Sequence, residues 1–379
     1  MQTAHIAIVG GGLSGLYAAY LLEQKGIGDY VLLEARDVPG GRILSVSPSG
    51  HPAAGADAID RFDLGPSWFW PGFQAQLDQL VRDLDLARFE QFEAGDALVE
   101  RTPSEPPVQT RGYVNSPASM RLVGGMGALI DALRRRLDET RIITGQAVRR
   151  LRSSGPHIEL DSEDAAGQMT TWRVGQVLLA LPPRLVEHSI EFTPALPEAL
   201  ARQWRGTPTW MAPHAKYFAI YDTPLWREQG LSGEARSARG PLVEIHDASM
   251  PGGSAALFGF FGVPARVRKG VPEDMLRSHC RAQLARLFGP QAATPRMELI
   301  KDWAQDPYTA TAADLDSAGH HAEAPAATAP SGPWRGRLIG IASEWSPQFP
   351  GYVAGAVEAA SLGVQALPEF TSDDLEQRL

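Results

Sequence analysis

The residues with the clearest chemical potential are glycines near the start of the chain, which follow the spacing G-x-G-x-x-G. They come directly after an apolar run of strand length, Ile6 to Val9, and open a helix-like stretch that ends at Gly26. In this setting the glycines permit a tight turn, close approach of a pyrophosphate and close packing of helix on sheet. The helix start would then stabilise phosphate charge. The residues predicted to form this loop are Gly10, Gly12, Leu13, Ser14 and Gly15.

An acidic residue and a second glycine pair extend this pattern. Glu34 follows the predicted strand Tyr30 to Leu33, and its carboxylate can accept hydrogen bonds from both hydroxyls of an adenosine ribose. The glycines at positions 40 and 41 allow close approach to an extended cofactor, and the next arginine can neutralise pyrophosphate oxygens. A second phosphate-side loop favours FAD over NAD. The residues assigned to this part of the cofactor are Glu34, Ala35, Arg36, Gly41 and Arg42.

A similar arrangement precedes a predicted helix near the other end of the chain. A strand leads to Glu344, whose carboxylate suits a ribityl hydroxyl, and Gly351 lets the backbone pass close to a flat ring. The helix that begins near Val353 would direct its positive end at the pyrimidine side of the isoalloxazine. Negative charge collects there when a flavin is reduced, so this helix would favour the reduced state. Segments from both ends of the chain would therefore hold one flavin.

Several blocks, taken in order, resemble the flavin monoamine oxidase family. Asp63 to Trp68 resembles the segment that passes beside the flavin, and Val123 to Gly127 resembles the mid-chain glycine block. Ala180 to Pro183 resembles the strand end that leaves the FAD domain, and Pro350 to Ala356 resembles the C-terminal flavin block. The resemblance implies a glutathione-reductase-like FAD-binding fold. It adds these cofactor-binding residues: Gly65, Pro66, Ser67, Trp68, Val148, Trp303, Glu344, Gly351, Tyr352 and Val353.

The same resemblance assigns chemistry to two side chains. Lys216, in the predicted strand Ala215 to Tyr221, matches the lysine that holds a water against flavin N5, and its charge would assist dioxygen during reoxidation. The alternative is a lysine on an edge strand that points to solvent. Tyr352 matches one wall of the family's aromatic cage. The flavin would accept a hydride from the α-carbon of the amine, while the protein orients the substrate.

The chain departs from the family pattern where the second aromatic wall is expected. Ala313 stands at that position, and Ala312 stands where some members carry a flavin-linked cysteine. The one cysteine of the chain, Cys280, lies elsewhere in a helix-like stretch. We therefore expect non-covalent FAD and only half of the cage.

The elements that must position these residues indicate an α/β fold. We expect a doubly wound, Rossmann-like FAD-binding domain interleaved with an α+β substrate domain on a mostly antiparallel sheet. The FAD-binding domain would comprise residues 1–70, 122–183 and 334–379, and the substrate domain residues 71–121 and 184–333. Residues 316–332, rich in Ala, Pro, Ser, Gly and His, are expected to form a mobile loop.

Composition and charge exclude several other classes of function. The formal net charge of the 379-residue chain is −9, which argues against a nucleic-acid partner. No His, Asp and Glu cluster has metal-ligand spacing, so no metal is predicted. The apolar N-terminal stretch lacks a basic leader and is interrupted by glycines, and no run is long enough to span a bilayer. A soluble, cytoplasmic protein of unknown oligomeric state is expected.

The leading hypothesis is an FAD-dependent oxidase of an amine or amino acid. It would give an imine and, after reoxidation by dioxygen, hydrogen peroxide. One alternative is a dehydrogenase or desaturase that acts on a C–C or C–O bond and uses another electron acceptor; Lys216 argues against it, whereas Ala313 leaves it open. The other alternative is a flavoprotein without turnover. The sequence does not identify the substrate.

Overall fold

The structure is a computed structural model, which describes residues 1–51, 59–102, 104–316 and 323–368. The chain divides into two units, each built from separated segments. The first unit comprises Met1–Val38, Leu137–Thr207 and Glu323–Leu379, and the second comprises Pro39–Arg136 and Pro208–Ala322. These units are defined by contacts within the chain, whereas the predicted domains are defined by the binding of FAD or substrate. The predicted domain boundaries therefore stay a prediction.

The strands, in chain order, are β1 (Gln2–Thr3), β2 (Ile6–Val9), β3 (Tyr30–Leu33), β4 (Ser45–Val46), β5 (Phe62–Asp63), β6 (Arg88–Glu90), β7 (Asp96–Glu100), β8 (Val108–Arg111), β9 (Met120–Leu122), β10 (Ile142–Ile143), β11 (Ala147–Ser154), β12 (His157–Glu163), β13 (Met169–Val174), β14 (Gln176–Leu179), β15 (Glu191–Thr193), β16 (Ala215–Tyr221), β17 (Leu231–Ser237), β18 (Leu242–Asp247), β19 (Ala255–Phe261), β20 (Met297–Asp302) and β21 (Leu338–Gly340). The α-helices are α1 (Leu13–Gln24), α2 (Ala75–Asp83), α3 (Gly127–Arg134), α4 (Pro183–Ser189), α5 (Glu198–Gly206), α6 (Leu225–Glu228), α7 (Ala265–Arg268), α8 (Glu273–Phe288) and α9 (Val353–Gln365). Short 3-10 turns connect several of them.

A parallel sheet in the order β10-β3-β2-β14-β21 organises the first unit. The chain builds it outward from β2 to β3 and β10, and then crosses to β14 and β21 on the other side. The strand order therefore reverses beside β2. In open α/β sheets a ligand binds at this reversal, outside the carboxyl ends of the strands. The turn that carries the predicted phosphate loop leaves the carboxyl end of β2.

The two faces of this parallel sheet are covered by different kinds of element. Helix α1 packs against β2 and β3 and lies beside α9, which packs on β21. Alternate residues of β2, Ala7 and Val9, point to the other face, where they share a core cluster with Leu160 and Trp172 of β12 and β13. Those strands belong to a second sheet, in the order β1-β13-β12-β11-β15.

A seven-stranded sheet forms the frame of the second unit, in the order β20-β16-β19-β18-β17-β7-β8. Its pairs are antiparallel except for β17 with β7. Tyr217 of β16 faces a core cluster that includes Cys280 of α8. Phe218, the next residue, faces a different cluster with Phe62 of β5 and Phe258 of β19. Period-2 alternation therefore puts Lys216 on the Phe218 face.

The predicted α/β fold class, with a Rossmann-like parallel sheet and a second, mostly antiparallel sheet, is confirmed. Two consecutive strands of the chain, β10 and β11, belong to two different sheets. Gly145, with a φ of +68°, redirects the chain between them. No helix in the described ranges combines the length and apolar character that a membrane crossing requires. Residues 317–322 of the expected mobile loop lie outside the described residues.

Candidate functional site

The turn between β2 and α1 depends on glycine at two positions. Gly10 has a φ of +104°, and its N–H donates to Leu33 O at 2.8 Å, which ties the turn to the end of β3. A Cβ atom on Gly15 would lie 2.0 Å from Gly10 O, and one on Gly10 would lie 2.9 Å from Ala180 O. Any side chain there would push α1 away from the sheet.

The start of α1 offers donors that suit a phosphate. Gly12 is the N-cap residue and supplies no side-chain cap, and the first turn contains no acidic residue. The first N–H groups of an α-helix have no acceptor within the helix, so those of Leu13 and Ser14 can serve a ligand. Both residues are buried, which strengthens their interaction with a charge. This turn therefore fits the pyrophosphate of a dinucleotide.

Glu34 is fixed beside the same turn. Glu34 is only 3% exposed, its Oε2 accepts from Gly11 N at 2.6 Å, and its Oε1 accepts from Arg36 N at 2.8 Å. Each carboxylate oxygen keeps a further lone pair for a ribose hydroxyl. Gln146 N donates to Glu34 O at 2.8 Å, which brings the start of β11 to this strand end, and Val148 lies buried in β11. The structure thus gathers Gly10–Gly15, Glu34–Arg36 and Val148 in the first unit.

The predicted C-terminal block lies in the first unit as well. Glu344, 3% exposed, stands in a 3-10 turn, and Oε2 accepts from Ser343 Oγ at 3.1 Å. Gly351 has a φ of +82° and donates to Ser343 O at 3.0 Å, which closes the loop before α9. Tyr352 is the N-cap of α9, supplies no side-chain cap and is 37% exposed. Helix α9, which begins at Val353, therefore presents its first N–H groups as α1 does.

In the second unit, the predicted segment Asp63 to Trp68 is held by its backbone. A Cβ atom on Gly65 would lie 1.9 Å from Arg42 O, so glycine is required for packing at this point. Leu64 O accepts from the indole of Trp303 at 3.0 Å. Gly41, with a φ of +60°, precedes Arg42, whose guanidinium donates to Trp210 O at 3.4 Å. The structure therefore brings together residues that are up to 239 positions apart in the sequence.

Lys216 joins this segment through its ammonium group. Nζ donates to Gly65 O at 2.5 Å, to Ser67 Oγ at 3.0 Å and to Asp63 O at 3.2 Å. It also lies 4.5 Å from the ring centroid of Phe258 and 5.2 Å from that of Phe260. Strand β16 lies between β20 and β19, and Lys216 is 2% exposed. The alternative of a solvent-facing lysine on an edge strand is therefore wrong.

Burial gives Lys216 an unusual acid–base property. Desolvation lowers the pKa of its ammonium group from 10.5 to about 7, because the charged form loses its hydration. The negative charge of Asp63 raises this pKa and the positive charge of Arg121 lowers it, both less strongly than burial acts. The pKa of the Asp63 carboxyl is raised, again chiefly by burial. Lys216 can therefore exchange a proton near neutral pH.

Trp68 lies within an aromatic group near Lys216. Its indole N–H donates to Gln91 Oε1 at 2.8 Å, and its ring centroid is 4.9 Å from that of His246 and 5.4 Å from that of Phe258. His246 Nε2 lies 2.7 Å from Glu244 Oε1. Pro66, between the lysine-binding residues Gly65 and Ser67, is half-buried.

Sequence reasoning missed three residues of this site. Ser45, the carboxylate of Asp63, and Arg121 are buried and interact with one another or with Lys216. In the sequence, Asp63 is the first residue of the block that resembles the family's flavin-side segment, and Arg121 stands two residues before the glycine block that begins at Val123. An acidic and a basic residue beside apolar strand positions were the available signal. The sequence alone did not show that Asp63 and Arg121 interact with Lys216.

The predicted second wall of the cage contains no aromatic ring. Ala312 and Ala313 begin a 3-10 turn and are both exposed. Cys280 is fully buried in the core of the second unit, and burial raises the pKa of its thiol. Among the described residues, no group of three His, Cys, Asp or Glu side chains is placed to hold a metal ion.

Two family models match the chain. One, described as flavin containing amine oxidoreductase, matches residues 89–367. The other, described as NAD(P)-binding Rossmann-like domain, matches residues 8–84 and so includes the turn before α1. Together they cover the segments that carry the predicted site residues of each unit.

Similar proteins carry related names. The chain is 27% identical over 250 residues to the probable flavin-containing monoamine oxidase A of Dictyostelium discoideum, covering 63% of this chain and 51% of that protein. It is 28% identical over 234 residues to the putrescine oxidase of Kocuria rosea, covering 59% and 48%. The chain thus spans about half the length of the curated relatives it matches. The solved structure of cyclohexylamine oxidase from Brevibacterium oxydans has the same fold, with a TM-score of 0.76 at 18% identity and coverage of 98% and 99%.

Proposed function

The chain belongs to the family of flavin-containing amine oxidoreductases, and we propose that it oxidises a primary or secondary amine, or an amino acid, with FAD as cofactor. The observation that carries this proposal is the buried Lys216, held by the segment that resembles the family's flavin-side segment. The relatives named as monoamine and putrescine oxidases support the same substrate class. The proposal names a class of substrate and does not identify the amine.

The residues of the first unit fit the adenosine and pyrophosphate part of FAD. The uncapped start of α1 binds the pyrophosphate, and Glu34 binds the ribose. We assign Glu344 to a ribityl hydroxyl and the start of α9 to the pyrimidine side of the flavin ring. When bound, FAD supplies the oxidising power that removes a hydride from the α-carbon of the amine and leaves an imine.

The protonation state of Lys216 decides what its amino group can do. An ammonium group has three N–H donors, and Asp63 O, Gly65 O and Ser67 Oγ would take all of them. The neutral amine has two donors and a lone pair, and the lone pair would accept a hydrogen bond from the water that the family resemblance assigns to this lysine. Since the pKa is about 7, both forms are populated near neutral pH. The neutral form therefore suits the water, and the cation provides the charge that assists dioxygen.

The remaining residues orient the substrate and keep the cofactor non-covalent. We assign Tyr352 to one aromatic wall of the family's cage, and the small side chain of Ala313, at the position of the second wall, would suit a bulky amine. Covalent attachment through sulfur is disfavoured, because the thiol of Cys280 is buried and stays protonated. We assign FAD binding to residues 1–70, 122–183 and 334–379 and substrate binding to residues 71–121 and 184–333.

Anaerobic mixing tests the proposed reaction. The purified yellow protein is mixed without oxygen with a monoamine, a diamine, a cyclic amine and an L-amino acid, and with an alcohol as the control. Bleaching of the flavin absorbance by an amine, followed by peroxide formation when air is admitted, is the expected result.

Other outcomes separate the alternatives. Bleaching by an amine without rapid reoxidation in air would identify a dehydrogenase that uses another electron acceptor. Bleaching by the alcohol alone would move the reaction to a C–O bond. A flavin that no compound bleaches would contradict catalysis and favour a binding protein.

A further inference from the structure

Asp63, whose main-chain oxygen accepts from Lys216 Nζ, has a buried carboxylate that the proposed reaction does not use. Asp63 is 2% exposed at the end of β5. Its Oδ1 accepts from Ser45 Oγ at 2.5 Å and from Met126 N at 2.8 Å. Within the described part of the chain, Oδ2 has no hydrogen-bond partner. An unpaired buried carboxylate oxygen is costly, so its position calls for a compensating charge nearby.

The neighbouring backbone is shaped to receive this carboxylate. Ser45 and Asp63 are paired residues of β4 and β5, and Ser45 Oγ also accepts from Gly127 N at 2.8 Å. The two side chains thereby bind the first N–H groups of α3. A Cβ atom on Gly125 would lie 2.5 Å from Asp63 Oδ1, and one on Gly127 would lie 2.9 Å from Ser45 Cβ. The mid-chain glycine block therefore makes room for Ser45 and Asp63.

Asp63 also begins the segment that binds the Lys216 ammonium group. Asp63 O, Gly65 O and Ser67 Oγ are the acceptors of Nζ. Anchoring the Asp63 side chain on α3 fixes the start of this segment, and the Asp63 charge favours the protonated form of Lys216. One residue thus acts on Lys216 through the backbone and through its charge.

The other charged groups around Lys216 are either cationic or paired. Arg121 is buried and donates to Ala248 O and Ser249 O at about 3 Å. Lys301 is the cross-strand neighbour on β20 and pairs with Asp306 at 2.9 Å. On β18, Glu244 pairs with His246. The Asp63 carboxylate, with its second oxygen unpaired among the described residues, is the counter-charge best placed for Lys216.

We propose that Asp63 is a positioning residue for Lys216, which anchors the lysine-binding segment on α3 and supplies a counter-charge to the Lys216 ammonium group. This inference rests on the proposed function only for the role of Lys216 toward the flavin. The acid–base coupling of the two side chains can be measured without any turnover.

The test follows the titration of Lys216 directly. The chain has four lysines, Lys25, Lys216, Lys269 and Lys301, so the Cε signals of the FAD-loaded protein grown with ¹³C-lysine can be assigned with a Lys216→Met variant. Asp63→Asn keeps the shape and the acceptor for Met126 N but removes the charge. We expect the Lys216 midpoint to fall by roughly one pH unit or more. The pH midpoint of flavin reoxidation should fall in parallel.

A matched control and a second variant keep the test decisive. Asp131→Asn removes another carboxylate of the same unit, one that pairs with Arg61, and should leave the Lys216 midpoint unchanged. If Asp63→Asn does not fold, the double variant Asp63→Asn/Lys216→Met should fold, since it leaves no uncompensated buried ammonium.

Two results would overturn the proposal. One is an Asp63→Asn protein whose Lys216 midpoint equals that of the wild type or lies above it. The other is a double variant that is no more stable than Asp63→Asn alone. Either result leaves the amine-oxidation experiment unaffected, because that experiment measures bleaching of the wild-type protein.

Discussion

At the scale of single residues, Lys216 is held by opposing effects. Burial removes its hydration and lowers its pKa to about 7, while three oxygen acceptors, two aromatic faces and the Asp63 charge favour the cation. The balance leaves a group that gains or loses a proton within the physiological range. An exposed lysine would remain cationic throughout the physiological pH range.

Replacing Lys216 by methionine tests its role toward the flavin. Methionine preserves the length and apolar stem, so FAD should remain bound, whereas reoxidation of the reduced flavin by dioxygen should slow by about tenfold or more. Stopped-flow absorbance after reduction by an amine measures the rate. Lys269→Met, at an exposed position, is the control and should reoxidise like the wild type. Equal reoxidation rates in Lys216→Met and wild type would remove Lys216 from this step.

At the scale of elements, glycine residues leave room for close contacts at the starts of three helices, α1, α9 and α3. The β2–α1 turn, the first turn of α9 and the glycine block before α3 each contain a glycine whose replacement would bring a Cβ into contact with backbone or with a buried polar group. Uncapped helix starts at α1 and α9 remain for a ligand, whereas the start of α3 is occupied by Ser45 and Asp63. The same local arrangement would therefore serve the proposed FAD binding at α1 and α9, whereas at α3 it anchors two side chains of the protein.

Gly15→Ala tests the β2–α1 turn. The added Cβ would lie 2.0 Å from Gly10 O, so α1 must shift and distort the phosphate-binding turn. We expect a loss of about 1–3 kcal/mol in stability and a marked loss of FAD on gel filtration. Gly206→Ala, at the end of α5 with no atom within 4 Å of the added Cβ, is the matched control. Full FAD retention and unchanged thermal midpoint in Gly15→Ala would contradict the assignment.

At the scale of the whole molecule, the buried lysine links stability to pH. Since its pKa is about 7 when folded and 10.5 ordinarily, the unfolded chain binds one more proton than the folded chain between these values. Stability from this group therefore rises with pH through that window and is lower below pH 7. The gain is at most about 1.4 kcal/mol per pH unit.

Comparing Lys216→Met with the wild type isolates this contribution. The thermal midpoint of the wild type minus that of the variant should increase from about pH 7 to about pH 10, because the variant lacks the titrating group. Calorimetry of the two FAD-loaded proteins at several pH values measures it. The difference between Lys269→Met and wild type should stay nearly constant over the same range. A constant difference for Lys216→Met would show that Lys216 titrates normally.

The phosphate loop, Glu34 and the second glycine pair could be predicted from the sequence because their geometry is local. Glycine spacing, an apolar strand and a helix start lie within about forty residues, and each permits only a few backbone conformations. The sequence also indicated Lys216, Tyr352 and the fold class, through the order of its family blocks. All the cofactor-contact residues, those of the local motif included, remain predictions.

The tertiary structure alone decided which groups control Lys216. Ser45, Asp63 and Arg121 lie far from Lys216 in the sequence, and β-strand pairing and the start of α3 bring them together. Proton affinity depends on burial and on charges within a few ångströms, and neither quantity can be read from residue spacing along one chain. Thus the sequence determined the nucleotide-binding turn and the presence of a lysine, whereas only the folded chain decided that this lysine is desolvated, where its ammonium group is bound and which carboxylate opposes its loss of charge.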